Sequence, residues 1–298
     1  MDFKSGFIAV IGRPNVGKST LINRISGEKI SIISDKPQTT RNVIKAIVTG
    51  EDYQMIFLDT PGIMLNPKNK LGEYMIKVAT DTLDEVDIVL FIVEATGGGP
   101  GKGDLEILRK LSKVSSPVFL IINKIDLISK EQIPLLVSEY NKHMDFACVI
   151  PISAINGEGV NDLIENIKAK LPVGPEYFPR DMITDQPEKV IIAEIIREKT
   201  LLLLKEEVPH GIGVEILSFK EREDKNIIDI QANIYCERES HKGIVIGKNG
   251  KMLKQIGSMA REDMERFLGV KVFLELWVKV KKDWRNNQHM LNILGYKT

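Results

Sequence analysis

The sequence predicts an α/β domain built on a doubly wound, mostly parallel sheet, followed by a smaller α+β domain. In the first half, short apolar strand patterns alternate with helical patterns, as in a sheet covered by helices on both faces. In the second half, longer segments alternate apolar and polar residues, which indicates a sheet with one covered face. A proline-rich segment separates the two patterns. We therefore predict a first domain over 1–171, a linker over 172–182 and a second domain over 183–298.

The elements of the first domain begin with an apolar strand over 7–11 that ends at Gly12, and a helix from Gly17 to about Ser26. Two strand patterns then flank a tight turn, which predicts an antiparallel hairpin at the sheet edge. The hairpin strands cover 42–50 and 53–60. Further helices are predicted near 70–83, 103–113, 130–140 and 159–170, and further strands at 87–95, 116–124 and 147–153.

The elements of the second domain follow a different order. A helical pattern covers about 187–205, and two helical stretches flank Gly247. Every even position from Ile228 to Cys236 is apolar or alanine, as expected of a strand with one buried face. The predicted strands are 213–222, 226–237 and 270–282. The resulting order is helix, strand, strand, helix, helix, strand.

The overall composition gives no sign of a nucleic-acid or membrane partner, so any such signal must be local. The 41 basic residues balance 41 acidic ones, so the overall charge indicates neither a nucleic-acid nor a membrane partner. No apolar run approaches the ~20 residues needed to cross a bilayer, and the first residues lack the pattern of a signal peptide. Cys148 and Cys236 are expected as buried residues in a reducing compartment. We expect a cytoplasmic protein.

Residues 12–20, GRPNVGKST, match the phosphate-binding P-loop pattern between a strand and a helix. This pattern is typical of P-loop NTPases, in which loop amides and the positive helix end surround a β-phosphate. Lys18 is expected to reach the β- and γ-phosphates, and the Ser19 hydroxyl to bind Mg²⁺. The predicted nucleotide-binding residues here are Gly12, Arg13, Pro14, Asn15, Val16, Gly17, Lys18, Ser19 and Thr20.

The segment DTPG, 59–62, ends the next strand of the hairpin. An ordinary turn has the same composition, but its place beside the P-loop favours a phosphate sensor. Asp59 would act on the Mg²⁺ waters, and the Gly62 amide would meet a γ-phosphate. Ile63 stands where Ras-type GTPases keep a glutamine, so we expect slow hydrolysis, about 10⁻⁴ to 10⁻² s⁻¹. Thr60, Pro61 and Ile63 complete this part of the predicted site.

The segment NKID, 123–126, predicts which base the bound nucleotide carries. The Asp126 carboxylate can accept from both donors on the guanine edge, and adenine lacks that pair, so discrimination of about 10⁴ or more is expected. Asn123 would brace the P-loop and the N7 edge of the base, and the Lys124 stem would cover the ring. Ser153 and Ala154 follow the last strand, where the Ala154 amide could meet guanine O6. All these loops lie at the carboxyl edge of the sheet, where ligands bind in this architecture.

The polar segment 29–41, KISIISDKPQTTR, is the candidate for a loop that a γ-phosphate and Mg²⁺ would order through a threonine hydroxyl. Thr40 is the first candidate and Thr39 the alternative, since spacing does not separate them. The predicted Mg²⁺ ligands are thus Ser19, Thr40 and Asp59, and Lys18, Thr40 and Gly62 are the predicted catalytic groups.

A second motif, GKNG at 247–250, lies between the two helices of the αββααβ domain, which is the type II KH arrangement. Such a loop clamps about four nucleotides of single-stranded RNA. Between 241 and 261 the sequence has lysines and no acidic residue. The alternative is a glycine turn with a solvated lysine face. The predicted RNA-binding residues are Lys242, Gly247, Lys248, Asn249, Gly250, Lys251 and Lys254.

The segment WVKVKKDWRNN, 277–287, combines basic residues with Trp277 and Trp284. Both RNA contact and packing of the last helix are compatible with it, so this stretch stays open.

Together these motifs resemble the bacterial Era family of GTPases over essentially the whole chain. The resemblance rests on GRPNVGKS, QTTR, DTPG, NKID and SA, and on HKGIVIGKNG with LWVKVKKDWR. It implies GTP and GDP as ligands, binding of the 3′ end of 16S rRNA and a role in assembly of the small ribosomal subunit. It also implies that Asn15 is a catalytic residue, which helps to bind K⁺ near the phosphates in place of the missing glutamine. Peripheral association with the inner face of the cell membrane is implied too, although no residue indicates an anchor. We expect a monomer.

Two other functions compete with a GTP-operated RNA-binding switch. The first is a GTPase that acts on a protein or membrane partner through its second domain. The second is a KH RNA chaperone whose P-loop domain binds nucleotide without hydrolysing it.

Overall fold

The structure is a computed structural model that describes residues 2–34, 36, 38–64, 66–205, 208–222 and 226–297. The chain forms two compact units. The first comprises Met1–Ile33, Thr40–Lys68 and Gly72–Asp185, and the second comprises Ser34–Thr39, Asn69–Leu71 and Gln186–Thr298. Two short segments of the N-terminal half thus belong to the second unit.

The first unit contains a six-stranded sheet in the order β2-β3-β1-β4-β5-β6. Only β2 runs antiparallel to its neighbour, so the predicted edge hairpin and the mostly parallel sheet are confirmed. The strands are β1 (Lys4–Gly12), β2 (Ile44–Thr49), β3 (Tyr53–Asp59), β4 (Ile88–Glu94), β5 (Val118–Asn123) and β6 (Cys148–Pro151).

Helices cover both faces of this sheet because the strands bury apolar side chains on both sides. On β1, Ile8 and Val10 belong to one core cluster, whereas Ala9 and Ile11 belong to the other. Continuous apolar strands of this kind are expected in doubly covered parallel sheets. The helices are α1 (Lys18–Ser26), α2 (Lys70–Asp81), α3 (Lys102–Leu111), α4 (Ile133–Asn141) and α5 (Val160–Lys170).

The second unit has a three-stranded sheet, ordered β7-β8-β9, in which β8 pairs antiparallel with β7 and parallel with β9. The predicted buried face of β8 is present: the even positions from Ile228 to Cys236 are all buried. The elements are α6 (Glu188–Leu203), β7 (Gly213–Glu221), β8 (Ile227–Cys236), α7 (Glu239–Ile246), α8 (Lys251–Leu268), β9 (Lys271–Val280) and α9 (Gln288–Ile293).

The proline-rich segment predicted as a linker is hydrogen-bonded to the first unit. The Gln54 side chain binds the main chain of Tyr177 and Phe178, and the Ser5 amide donates to Pro172 O at 3.1 Å. Prolines reduce the conformational freedom that such docking must remove. The segment therefore forms part of the first unit rather than a free spacer.

Three further residues refine the sequence predictions. Cys148 is half-buried, because β6 is an edge strand of the sheet. Trp284 is fully buried, donates from Nε1 to Gly211 O at 2.8 Å and stacks on Tyr296, so it packs the end of the second unit. Trp277 is 41% exposed.

Across the described part of the chain, no helix has the length and apolar character that crossing a membrane requires.

Candidate functional site

The P-loop joins β1 to α1 through two positions with left-handed backbone. Asn15 has φ of 66° and Gly17 has φ of 98°. A Cβ atom on Gly17 would lie 2.2 Å from Nδ2 of Asn123, so this position needs glycine for space as well as for its backbone angle. The loop is thereby held against the end of β5.

Lys18 is buried within the loop, with 6% of its surface exposed. Its Nζ donates to Gly12 O at 3.3 Å and to Arg13 O at 2.9 Å. Burial lowers the pKa of Lys18 to about 8, although the charge of Asp59 opposes that shift. An ammonium destabilised by burial gains strongly from an anionic ligand such as a phosphate.

Three side-chain oxygens meet beside the loop. The Ser19 hydroxyl lies 3.1 Å from the Thr40 hydroxyl and donates to Asp59 Oδ2 at 2.8 Å. Burial raises the pKa of the Asp59 carboxyl, against the opposing effect of Lys18, and its Oδ1 accepts no hydrogen bond of normal geometry from the described residues. Hydroxyl and carboxylate oxygens are the ligands that Mg²⁺ prefers. A buried carboxylate oxygen that accepts no hydrogen bond of normal geometry fits such an ion.

The alternative threonine makes a different contact. The Thr39 hydroxyl donates to Lys36 O at 2.6 Å, whereas Thr40 faces Ser19. The geometry therefore favours Thr40 for the metal cluster. In segment 29–41, Asp35 and Pro37 lie outside the described residues.

The DTPG segment and the residue that follows it, Ile63, contact the P-loop through their backbone. The Ile63 amide donates to Gly12 O at 3.2 Å, and a Cβ on Gly62 would lie 2.7 Å from the nitrogen of Pro14. The Thr60 hydroxyl is buried and donates to Val10 O at 2.7 Å. The Ile63 side chain is 4% exposed and packs in a core cluster. Thr60 and Ile63 are predicted site residues, and the structure places both side chains in the interior of the domain.

The strand-tip residues predicted for the base lie close together. Asn123 Nδ2 donates to Val16 O at 2.8 Å, and the Ala154 amide donates to Asn123 Oδ1 at 3.0 Å. The Ser153 hydroxyl donates to Asp126 Oδ1 at 2.6 Å. Asp126 is exposed, so a base can approach its carboxylate. Ser153 thus orients the acceptor that a guanine edge needs.

Two ion pairs near this site escaped the sequence prediction. Arg13 Nε lies 2.8 Å from Oδ1 of Asp104, which is fully buried in α3 and also accepts from the Gly101 amide. The Lys124 ammonium lies 2.7 Å from Glu94 Oε2. In the sequence, Asp104 stands out only as an acidic residue inside an amphipathic helix. Its distance along the chain from Arg13 gave no indication that the two residues form an ion pair.

The GKNG loop connects α7 to α8 with left-handed backbone at three positions. The φ angles are 72° at Gly247, 54° at Asn249 and 74° at Gly250. A Cβ on Gly247 would lie 2.6 Å from Cβ of Met252, so the loop needs glycine there. Of the predicted RNA-binding residues, Lys248, Asn249, Lys251 and Lys254 are exposed, and Lys242, Gly247 and Gly250 are half-buried.

A groove of about 470 Å³ runs from this loop between α8 and β9. Ser258 and Arg261 extend the face of α8 that begins with Lys254, and Phe273, 50% exposed, stands on β9. Sequence reasoning missed these residues, because only the pairing of β9 beside β8 places Phe273 opposite α8. The lining residues are Gly250, Leu253, Lys254, Gly257, Ser258, Arg261, Phe273, Leu274 and Leu276.

Comparison with family descriptions matches both halves of the chain. Residues 7–124 match the family described as 50S ribosome-binding GTPase, and residues 207–285 match the KH domain. The first match runs from within β1 to the end of β5, and the second includes β7 to β9 and the GKNG loop between α7 and α8. Their order is the one that the motifs predict.

Comparison with curated proteins and solved structures covers the whole length. GTPase Era of Ruminiclostridium cellulolyticum is 58% identical over 298 residues, which is 100% of this chain and 99% of that protein. GTPase Era of Caldicellulosiruptor saccharolyticus is 58% identical over 296 residues, covering 99% and 98%.

The crystal structure of Era with MgGDPNP and nucleotides 1506–1542 of 16S ribosomal RNA is 42% identical, with a TM-score of 0.95, covering 99% of this chain and 100% of that one. An Aquifex aeolicus Era variant bound to GDP and AlF4⁻ matches with the same identity, coverage and TM-score. Identity of this degree over the full length, with a matching fold in both units, shows that the chain belongs to the GTPase Era family.

Proposed function

We propose that this protein is a GTP-hydrolysing switch that binds the 3′ end of 16S rRNA through its KH domain and assists assembly of the small ribosomal subunit. The observation that carries the proposal is the oxygen cluster of Ser19, Thr40 and Asp59 beside buried Lys18, in a chain that also has a GxxG groove. The solved Era complex with MgGDPNP and 16S rRNA nucleotides supports it.

Ser19, Thr40 and Asp59 would hold Mg²⁺ together with the nucleotide. When bound, the ion neutralises charge on the β- and γ-phosphates. Lys18 would exchange its carbonyl partners for phosphate oxygens, and the Gly62 amide would face the γ-phosphate. Asn123, Lys124, Asp126, Ser153 and Ala154 would hold guanine.

Hydrolysis without a partner is expected to be slow, about 10⁻⁴ to 10⁻² s⁻¹. Ile63, at the sequence position of the Ras-type glutamine, packs in the core and has no polar group to orient the attacking water. Single-turnover phosphate release from the purified protein measures this rate. A rate of several per second without RNA or subunits would contradict the prediction.

Potassium is expected to accelerate hydrolysis several-fold over sodium. The family resemblance implies a K⁺ site at Asn15, which the loop holds at φ of 66°. Asn15→Gly keeps that backbone angle accessible and removes the amide, so the variant should lose the potassium effect. Phosphate release in matched KCl and NaCl tests both statements, and equal wild-type rates in the two salts would refute them.

The groove would bind a single RNA strand. Lys248, Lys251 and Lys254 would contact phosphates, and exposed Phe273 offers a surface on which a base can stack. Crosslinking of protein loaded with a GTP analogue or with GDP to RNA in cell lysate tests this role. We expect the 3′ end of 16S rRNA to be enriched with the GTP analogue. Capture of proteins or membranes without RNA would favour the alternative function, a GTPase that acts on a protein or membrane partner through its second domain.

We place the protein in the cytoplasm, where its proposed ribosomal partner lies. Peripheral membrane association and the monomeric state stay predictions. Cell fractionation and sedimentation of the purified protein test them.

A further inference from the structure

Arg197 of α6 binds the segment that leads to the proposed metal ligand. Its side chain is 1% exposed and pairs with Glu194, with Nε 2.8 Å from Oε1. Its Nη1 donates to Gln38 O at 3.3 Å, and its Nη2 donates to Thr39 O. Residues Ser34–Thr39 belong to the second unit, so all these contacts lie within that unit.

The next residue along the chain is Thr40, whose hydroxyl lies 3.1 Å from the Ser19 hydroxyl. The guanidinium thus holds two consecutive carbonyls directly before the residue proposed to bind Mg²⁺. Because the peptide group between Thr39 and Thr40 is planar, a shift of Thr40 must move or tilt the Thr39 carbonyl. Arg197 is therefore placed to respond when Thr40 moves.

The same helix also makes a buried ionic contact with α8. Lys199 is 7% exposed, and its Nζ lies 2.5 Å from Asp263 Oδ2 and 3.0 Å from Glu198 Oε2. Asp263 lies on α8, the helix that begins directly after the GKNG loop. Helices α6 and α8 also share one hydrophobic core, with Ile196 and Ile256 both fully buried. A movement of α6 would consequently displace α8.

These buried charges are poorly explained by stability alone. Buried ion pairs often contribute little net stability compared with apolar residues of similar volume, and their best-attested use is to fix one arrangement over another. Arg197, Glu198 and Lys199 are consecutive and all buried. A chain of fixed charge pairs along α6 suits an element that selects between arrangements.

We propose that Arg197 and the Lys199–Asp263 pair form a relay that links the position of Thr40 to α8 and its RNA-binding loop. The proposal rests on the proposed function and names the residues that couple nucleotide state to RNA affinity. Arg197 is a positioning residue, since it acts on Thr40 through the Gln38 and Thr39 carbonyls.

The test compares Arg197→Gln with the wild type. Dissociation constants for a single-stranded RNA with the 3′-terminal sequence of 16S rRNA are measured with a GTP analogue and with GDP, both with Mg²⁺. We expect the ratio of the two constants, at least about five in the wild type, to fall to about one in the variant. Because coupling is reciprocal, the effect of RNA on GTP-analogue affinity should shrink by the same factor. Arg197→Lys keeps the positive charge but loses the forked guanidinium that holds both carbonyls. Its ratio should therefore lie between those of the wild type and Arg197→Gln.

Arg180→Gln is the matched control. Arg180 also pairs with a glutamate on its own segment, Glu176, and donates to a main-chain carbonyl, Glu51 O, but it lies outside the relay. Its ratio should equal that of the wild type. Thermal unfolding verifies that each variant folds; if Arg197→Gln does not, Arg197→Lys and Asp263→Asn provide the same comparison.

Two results would be decisive against the relay or its basis. A wild-type ratio retained by all folded relay variants would overturn the relay and leave the proposed function intact. Equal RNA affinities in the two nucleotide states of the wild type would overturn the proposed switch itself, and the relay with it.

Discussion

Replacing Asp126 with asparagine is expected to lower GTP affinity at least about a thousandfold, because the new amide presents a donor to the two donors of the guanine edge. Ser153 holds the present carboxylate by a hydrogen bond of 2.6 Å, so the substituted group should occupy the same place. Xanthine has a carbonyl where guanine has its exocyclic amine, so xanthosine triphosphate should bind Asp126→Asn better than GTP does. Equilibrium titration with fluorescent nucleotides measures both affinities.

The control for this change is Asp145→Asn. Asp145 is exposed and precedes β6, so it lies at the opposite edge of the parallel sheet from Asp126. Its GTP affinity should match the wild type. Retention of GTP affinity by Asp126→Asn, or no gain for xanthosine triphosphate, would show that Asp126 does not read the base.

Replacing Lys248 and Asn249 together with aspartate is expected to weaken RNA binding roughly a hundredfold, because the clamp loop would then repel phosphates. Both side chains are exposed, and aspartate tolerates the left-handed backbone at position 249. Folding and RNA-independent GTP hydrolysis should therefore be unchanged. RNA titration at fixed salt, with phosphate release as the second readout, measures the effect.

A double variant with the same change in charge separates the loop from overall electrostatics. Lys189→Asp with Gln288→Asp alters two exposed residues of the same unit that do not line the groove. We expect it to lose at most a few-fold in RNA affinity. Equal losses in the two double variants would mean that net charge, and not the GxxG loop, controls binding. No loss in either would favour a protein or membrane partner.

The sequence predicted the sheets well because their apolar periods are strong. Continuous apolar runs identified β1, β4 and β5, and period-two alternation identified β8 and β9. Since parallel strands share one carboxyl edge, strand-tip motifs could be placed together without coordinates. The short helix α9 was not predicted, because six residues are too few to display a helical period.

The remaining features depend on contacts between distant residues. Spacing could not choose between Thr39 and Thr40, whereas the structure places only Thr40 beside Ser19. Ile63 packs in a core cluster, which accounts for its apolar side chain. Its position after Gly62 in the sequence did not reveal that contact. Trp284 and Trp277 look alike in the sequence, yet one is buried and the other is 41% exposed. Long-range packing decides each case.

The coupling between the two sites is tested most directly by titrating the wild-type protein with labelled RNA of the 16S 3′-terminal sequence. The titration is made with a GTP analogue, with GDP, with an ATP analogue and without nucleotide, at one Mg²⁺ and salt concentration. We predict that RNA binds at least about fivefold more tightly with the GTP analogue than with GDP, and that the ATP analogue leaves the affinity at the nucleotide-free value. The same RNA affinity under all four conditions would contradict the account.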